Sequence, residues 1–257
     1  MTLPSVFILS LPDAIERRKS AASECRRYQL DYEWIDAVDF RNTSFEEVAS
    51  YYQPSLPDKR KNKILSPTEI ACALGHQSIY QHIVKNKIPF SLILEDDFMW
   101  LANPHPLLEQ LDWIQQHLHF DVLILGYVKL LAQDLAYHYR RLPLHTQYSS
   151  PGFRFGYLWE QFSCGTVGYI VTFEGAKKLS QSVIRVTADN WLYFEKACKV
   201  SIKHMRPLLV LEQCETFQST IRVEKDSHLR IKKSSRLIRS TRGVLRKLIM
   251  NGLGRKR

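Results

Sequence analysis

Short apolar runs recur through the first half of the chain, and amphipathic stretches fill the gaps between them. Residues 6–9 (Val-Phe-Ile-Leu) are β-prone, too few for a helix and followed by Pro12, which predicts a buried strand. A helix is expected over 15–28, with Arg17 and Arg18 in its first turns, and a second strand over 32–35. Residues 53–65 hold two prolines and four basic side chains and predict an exposed loop. Then comes a well-marked helix start. Ser66-Pro67-Thr68-Glu69 combines a capping serine, proline at the first helical position and glutamate three residues after the cap. The helix should run over 67–85, with Glu69, Cys72, His76, Ile79 and Ile83 sharing a face at spacings of three and four. Strands are expected at 91–94 and 122–125, with a helix over 107–118 between them. Residues 127–165 follow no clear period. Beyond them, 167–172 reads as a strand, 175–182 and 189–197 as helices, and 202–204 and 208–211 as short strands. This rhythm predicts an α/β fold with a mixed, mostly parallel sheet and flanking helices.

Composition narrows the picture. With 257 residues, 45% hydrophobic and 24% charged, the chain is neither disordered, collagenous nor coiled-coil, and is long enough for a sizeable core. No apolar run reaches the length of a spanning helix, and the opening segment lacks the basic flank of a signal peptide. Five cysteines without close pairing and without a CxxC argue against a disulfide framework or a cysteine zinc site. A cytoplasmic protein is expected. The net charge of +10 is uneven: residues 228–257 carry 11 Lys+Arg and no acid, leaving 25 basic against 26 acidic residues in 1–227. The division is therefore a near-neutral body over 1–227 and a basic tail over 228–257.

The candidate chemistry lies at Glu95-Asp96-Asp97, directly after an apolar strand. Adjacent carboxylates repel, and burying them unpaired is costly. A divalent cation relieves both penalties, and an all-oxygen donor set suits Mn²⁺ or Mg²⁺. Ligands of open α/β sheets bind beyond the carboxyl ends of strands, where this triplet falls. The triplet thus suggests a metal–diphosphate site.

The segment LSPTEIACALGHQSIYQHIVKNKIPFSLILEDD resembles the signature of glycosyltransferase family 25, matching it at Thr68, Glu69, Ile70, Cys72 and His76 and at the acidic triplet. FILSLPDAIERR…YEWIDAVD is similar to the family's opening, with Arg17, Arg18, Ala37 and Asp39 in place. GTVGYIVTFEGAKKL resembles a later stretch at Gly168, Tyr169, Gly175, Ala176 and Leu179. Ser10, Ala71 and Gly75 depart from the pattern, where Asn, Gly and Ser are usual; none removes a charge.

The resemblance implies a GT-A-like, Rossmann-type nucleotide-binding fold and an inverting transfer of sugar, commonly galactose from UDP-galactose in β-linkage. A β-1,4-galactosyltransferase acting on a bacterial lipooligosaccharide or lipopolysaccharide is the specific expectation. Asp97 becomes the direct metal ligand, with Glu95 and Asp96 at its side. Leu9, Ser10 and Leu11 would border the nucleoside, and Arg17 or Arg18 would meet a phosphate as a fork donor. Glu69 and His76 are candidates for the donor side, though a helix cap and a core histidine also account for them. Asp189 is the candidate general base and also a candidate helix cap, with Glu160 and Glu215 as fallbacks. Trp191 would stack on a sugar, and Gly165 and Gly168 would line the donor sugar or acceptor.

In the tail, Leu237, Ile238, Leu245, Leu248 and Ile249 recur at helical spacing, with Arg239, Arg242 and Arg246 on another face. This pattern predicts a basic amphipathic helix in peripheral contact with the anionic inner membrane, where a glycolipid acceptor would also sit. No nucleic-acid partner is expected, because the apolar stripe would serve no purpose there. The competing readings are another nucleotide-sugar donor or a capsular acceptor, a nucleic-acid-binding protein acting through the tail, and an inactive sugar-binding module.

Overall fold

A computed structural model of the chain describes residues 3–53, 64–180 and 183–213, together with Arg246 and Ile249. The membrane-helix expectation for 228–257 and most of the loop expected at 53–65 lie outside the described residues. In chain order the elements are β1 (Ser5–Ser10), α1 (Ile15–Arg27), β2 (Glu33–Asp36), α2 (Phe45–Val48), α3 (Pro67–Lys85), β3 (Phe90–Glu95), β4 (Phe98–Trp100), α4 (His105–Leu108), α5 (Leu111–Leu118), β5 (Val122–Ile124) and β6 (Gly126–Tyr127). There follow α6 (Leu135–Arg141), β7 (Leu144–Ser150), β8 (Phe153–Leu158), β9 (Gly168–Thr172), α7 (Phe173–Ser180), α8 (Trp191–Ala197), β10 (Ile202–Arg206) and β11 (Val210–Glu212).

An eight-stranded sheet runs in the order β2-β1-β3-β9-β5-β10-β8-β7, beside a three-stranded sheet β4-β11-β6. β1 is parallel to both β2 and β3, and β10 is parallel to β5. β9 is antiparallel to both of its neighbours, and β8 to β10 and β7. The fold is α/β with a mixed central sheet. β1 and β3 are buried along nearly their whole length, which is why they read as unbroken apolar runs rather than as alternation. Their side chains nevertheless divide by parity. Val6, Ile8, Leu92 and Leu94 pack with Ala21 and Cys25 of α1 and with Leu111 and Ile114 of α5. Phe7, Leu9 and Ile93 pack with Ile79, Tyr80 and Ile83 of α3 and with Leu179 of α7.

The capping box at the start of α3 forms as its sequence dictates. Ser66 Oγ accepts from the Glu69 amide and the Glu69 carboxylate accepts from the Ser66 amide, with Pro67 in the first turn. Three expectations change. The single helix over 107–118 is two, α4 and α5. Leu107, Leu108, Leu111, Ile114 and Leu118 all face one core, so the apolar period runs straight through the break. At the break itself Gln110 leaves helical geometry, and its side chain donates back to the Pro106 carbonyl. The aperiodic stretch 127–165 contains the β7–β8 hairpin, turned at Gly152 with φ +82. Its outer strand is half exposed and rich in polar residues, so it carries no clean alternation. Finally, the cap of α8 is Asn190, whose side chain accepts from the Tyr193 amide, and not Asp189.

Candidate active site

Three carboxyl-terminal strand ends build the site. β1 and β3 run parallel in a register that sets Leu9 beside Glu95, so the chain leaves both strands at the same edge. From β1 it passes through Ser10 and Leu11 into α1; from β3 it turns at Asp96-Asp97 into β4. The neighbouring sheet brings β11 against β4, with Glu212 opposite Phe98. Between these ends lies a cleft of about 310 Å³.

The cleft gathers most of the residues expected from sequence. Leu9, Ser10, Leu11, Arg17, Glu69, Glu95, Asp96, Asp97, Gly165 and Asp189 all line it. Asp96 and Asp97 are buried, at 6% and 5% exposure, so their charges cannot simply be solvated. The Ser10 hydroxyl donates to Asp96 Oδ2 at 2.6 Å. Arg17 forks across the pair, with Nε to Asp96 Oδ1 and Nη2 to Asp97 Oδ2, each at 2.6 Å. Asp97 Oδ1 is buried without a hydrogen-bond partner among the described residues.

The three carboxylates titrate apart. Burial alone would raise Glu95, but the hydrogen bond and charge of His76, the Thr166 hydroxyl and Arg17 hold it below its ordinary value. Burial raises Asp96 against the opposing pull of Arg17 and Ser10. Asp97 is pushed up to about 8, chiefly by burial and then by the Glu95 charge; Glu212 and Asp96 add to this and Arg17 opposes it. A deprotonated neighbour therefore faces a carboxyl that holds its proton near neutrality, with one oxygen unpartnered. A divalent cation at Asp97 supplies the missing partner and the missing charge, and carboxylate oxygens are the donors Mn²⁺ and Mg²⁺ take. The residues present fit such an ion.

Several expected side chains sit elsewhere than foreseen. His76 is 1% exposed and lies beneath the cleft rather than in it. Its Nδ1 shares a 2.9 Å hydrogen bond with the Tyr169 hydroxyl, which bonds Tyr80 in turn, and its Nε2 is 3.4 Å from Glu95 Oε1. It supports the acidic turn through Glu95 from beneath the cleft. Arg18 turns away from the cleft. It donates to the Ser10 and Leu11 carbonyls, pairs with Asp36 and lies over the Trp34 ring, so that of the two arginines it is Arg17 that lines the cleft. Trp191 is fully buried against Tyr169 and Phe194, and its indole N–H donates to the Gly165 carbonyl, so no ring face is free for a sugar. What Trp191 does is hold Gly165, which has φ +83 and sits where a Cβ would strike Val128. Gly168 is buried in β9, packed against Val210 and Leu94, and does not face the cleft. Asp189 lines the cleft and accepts from the Thr187 hydroxyl at 2.7 Å. Glu160 is exposed and outside the cleft lining, and Glu215 lies outside the described residues.

Two contributors escaped the sequence reading. Thr166 donates to Glu95 from the cleft wall. Glu212 lines the cleft and accepts from the Lys129 amide at 2.8 Å, while the Asp97 carbonyl accepts from the Gln213 amide. The signal for Glu212 was present, since it too is a carboxylate at the end of an apolar run. Cys72, amid Glu95, Asp189, Asp97 and Glu69, is raised well above an ordinary thiol by burial and those charges, so it is no nucleophile as it stands.

Residues 3–192 match the family model described as glycosyltransferase family 25 (LPS biosynthesis protein). Relatives include a procollagen galactosyltransferase of Xenopus laevis, 25% identical over 70% of this chain and 28% of its own length. A lipooligosaccharide biosynthesis protein of Haemophilus influenzae is 25% identical over 72% of this chain and 66% of its own length. The inactive glycosyltransferase 25 family member 3 of Mus musculus is 26% identical over 71% and 29% respectively. The chain thus spans less than two thirds of each of these relatives.

Proposed function

The chain belongs to glycosyltransferase family 25, and from that premise we propose that it is an active, inverting glycosyltransferase acting on a bacterial surface glycolipid. Its donor is a nucleotide sugar, UDP-galactose first among them. Its product is a β-linked galactose, 1,4 in the specific form of the proposal, on a lipooligosaccharide or lipopolysaccharide chain. The observation that carries this reading is the buried acidic turn at the carboxyl edge of β1 and β3, where Asp97 lines the cleft and its Oδ1 has no hydrogen-bond partner among the described residues.

Asp97, with Asp96 and Glu95 beside it, would hold Mn²⁺ or Mg²⁺. The ion, when bound, supplies positive charge to a diphosphate leaving group. The chain's own residues do the rest. Arg17, held at the cleft edge by Asp96 and Asp97, would bring its positive charge to the phosphate oxygens. Leu9, Ser10 and Leu11 border the nucleoside. Asp189 takes the proton from the acceptor hydroxyl as that oxygen attacks the anomeric carbon, which is the single displacement inversion requires. The Thr187 hydroxyl keeps the Asp189 carboxylate oriented.

Peripheral contact with the cytoplasmic face of the inner membrane through 228–257 is part of the proposal and rests on the basic, amphipathic sequence of that segment. No helix among the described residues is long and apolar enough to cross a membrane. The test is release of nucleotide from a panel of NDP-sugars, with Mn²⁺ and with EDTA, for wild type and Asp97→Asn. Metal-dependent turnover of one donor that disappears in Asp97→Asn supports the reading and names the sugar. If no donor is turned over or bound, the protein is a family member without activity.

A further inference from the structure

The wall of the cleft holds a second arrangement, chemically unlike the acidic turn. Cys72 and His76 stand four residues apart on one face of α3, and Glu95 closes β3 opposite them. The Cys72 sulfur, a His76 ring nitrogen and a Glu95 oxygen all lie within 4.8 Å of one another. From this geometry we propose that Cys72, His76 and Glu95 form a site for a borderline-soft divalent ion of the Zn²⁺ class, which borders the all-oxygen site at Asp97 through Glu95 and differs from it in its sulfur and nitrogen donors.

Distance is the first argument. The His76 Nε2 to Glu95 Oε1 separation of 3.4 Å is long for a charge-assisted hydrogen bond, which runs near 2.7–2.9 Å. Two ligands on a tetrahedral Zn²⁺ stand about 3.3–3.6 Å apart, given the usual Zn–N, Zn–O and Zn–S bonds. The pair is thus spaced as ligands are, and the thiol, whose sulfur lies within 4.8 Å of both, completes the set by closing on them. The second argument is orientation. A ligating imidazole has its other nitrogen fixed by a hydrogen bond, and His76 Nδ1 is so held by the Tyr169 hydroxyl, itself tied to Tyr80. Glu95 is likewise held by Thr166. The third is softness. Thiolate with imidazole selects Zn²⁺ or Co²⁺ over Mg²⁺ and Mn²⁺, which the oxygen-only pair of Asp96 and Asp97 favours instead. Cys72 and Glu95 line the cleft while His76 lies beneath it, so the fourth coordination position opens to the cleft. On binding, the sulfur–metal bond forms as the thiol proton leaves to solvent, and a water or a ligand oxygen fills the open position.

The test uses Co²⁺ alone as probe, titrated into the full chain under reducing conditions, with Zn²⁺ as competitor. A thiolate-to-cobalt charge-transfer band in the near ultraviolet is expected, and stoichiometric Zn²⁺ should abolish it. Cys72→Ser and Cys72→Ala should both lose the band and bind Zn²⁺ at least tenfold more weakly, with circular dichroism confirming that each remains folded. His76→Gln should weaken and shift it. Asp97→Asn should keep it while losing Mn²⁺ binding, which separates this site from the catalytic one. No band in the wild type overturns the proposal. So does a band that survives both Cys72 variants, which would place the ion at another cysteine, or one lost in Asp97→Asn alone.

Discussion

Two buried polar clusters sit in this fold, and they are built on opposite rules. One is the acidic turn, where Glu95, Asp96 and Asp97 surround the Arg17 guanidinium, Glu212 adds its charge against Asp97, and one Asp97 oxygen has no hydrogen-bond partner among the described residues. The other surrounds Arg206. That guanidinium is 3% exposed, donates to the Tyr127 hydroxyl and the Met205 carbonyl, and lies over the Tyr127 and Tyr139 rings. Beside it, His204 joins the Tyr127 hydroxyl to Gln161. Here a cation is met by rings, hydroxyls and neutral imidazoles, and no carboxylate pairs with it among the described residues. The Arg206 cluster spreads one charge over rings and neutral acceptors away from the cleft, although its Nε, too, has no hydrogen-bond partner among the described residues. The acidic turn leaves its charge unsettled and opens onto a cleft, and that combination marks a place that acts on something else.

The largest effect should follow from removing charge at the turn. Asp97→Asn is expected to lower metal-dependent donor turnover by about a hundredfold or more, while raising the melting temperature of the metal-free protein at pH 8, because the costly carboxyl is gone. Steady-state kinetics and thermal melts check the two halves, and a metal-free melting temperature that falls would contradict the account of Asp97. The Arg206 cluster should behave in the opposite way. Arg206→Ala is expected to cost about 2–4 kcal/mol of stability through the lost ring contacts and the cavity, with turnover retained below its melting temperature. Denaturant unfolding measures the first, and equal kcat in variant and wild type the second.

Titration sharpens the contrast. Asp97 has a folded value near 8, above its unfolded one. Its contribution is therefore complete below about pH 4 and is lost as pH rises through 8. Divalent ions must expel that proton, so their affinity should climb over the same range. His138 is held down to about 4 by burial first and then by Arg206 and Arg141. Below about pH 6.5 the unfolded chain takes a proton that the folded one refuses, so this contribution is lost as pH falls from there to 4. Unfolding curves across pH for Asp97→Asn and His138→Phe should flatten opposite ends of the profile. Ser66→Ala marks the small end of the scale. It removes the α3 cap at a cost of about 1 kcal/mol and should leave metal affinity within about twofold, because Glu69 and not Ser66 lines the cleft.

Much of this was readable beforehand where the determinants are local. The capping box fixed the start of α3, and the paired buried strands β1 and β3 announced themselves as apolar runs. The triplet at the end of β3 stood out because carboxylates there are expensive. What could not be read depended on distant partners. Trp191 looks like any aromatic at a helix start until β9 brings Tyr169 against it and Gly165 turns its carbonyl to the indole. His76 could be read from sequence as a donor-side residue or as a core histidine, and only the packing of β3 and β9 sets it between Glu95 and Tyr169. The antiparallel setting of β9 between β3 and β5 leaves no mark in its own sequence, since a fully buried strand is apolar in either direction.

That strand has a consequence for how the protein is made. β9 closes the central sheet from well along the chain, pairing Phe90 with Thr172 and Val122 with Val171. Until the ribosome has released it, β3 and β5 each present a bare apolar edge, which is the kind of surface that recruits other chains. Nascent chains ending before β9 should therefore depend on chaperones. The cleft, whose Gly165 and Thr166 immediately precede β9, then takes shape only as this late strand docks.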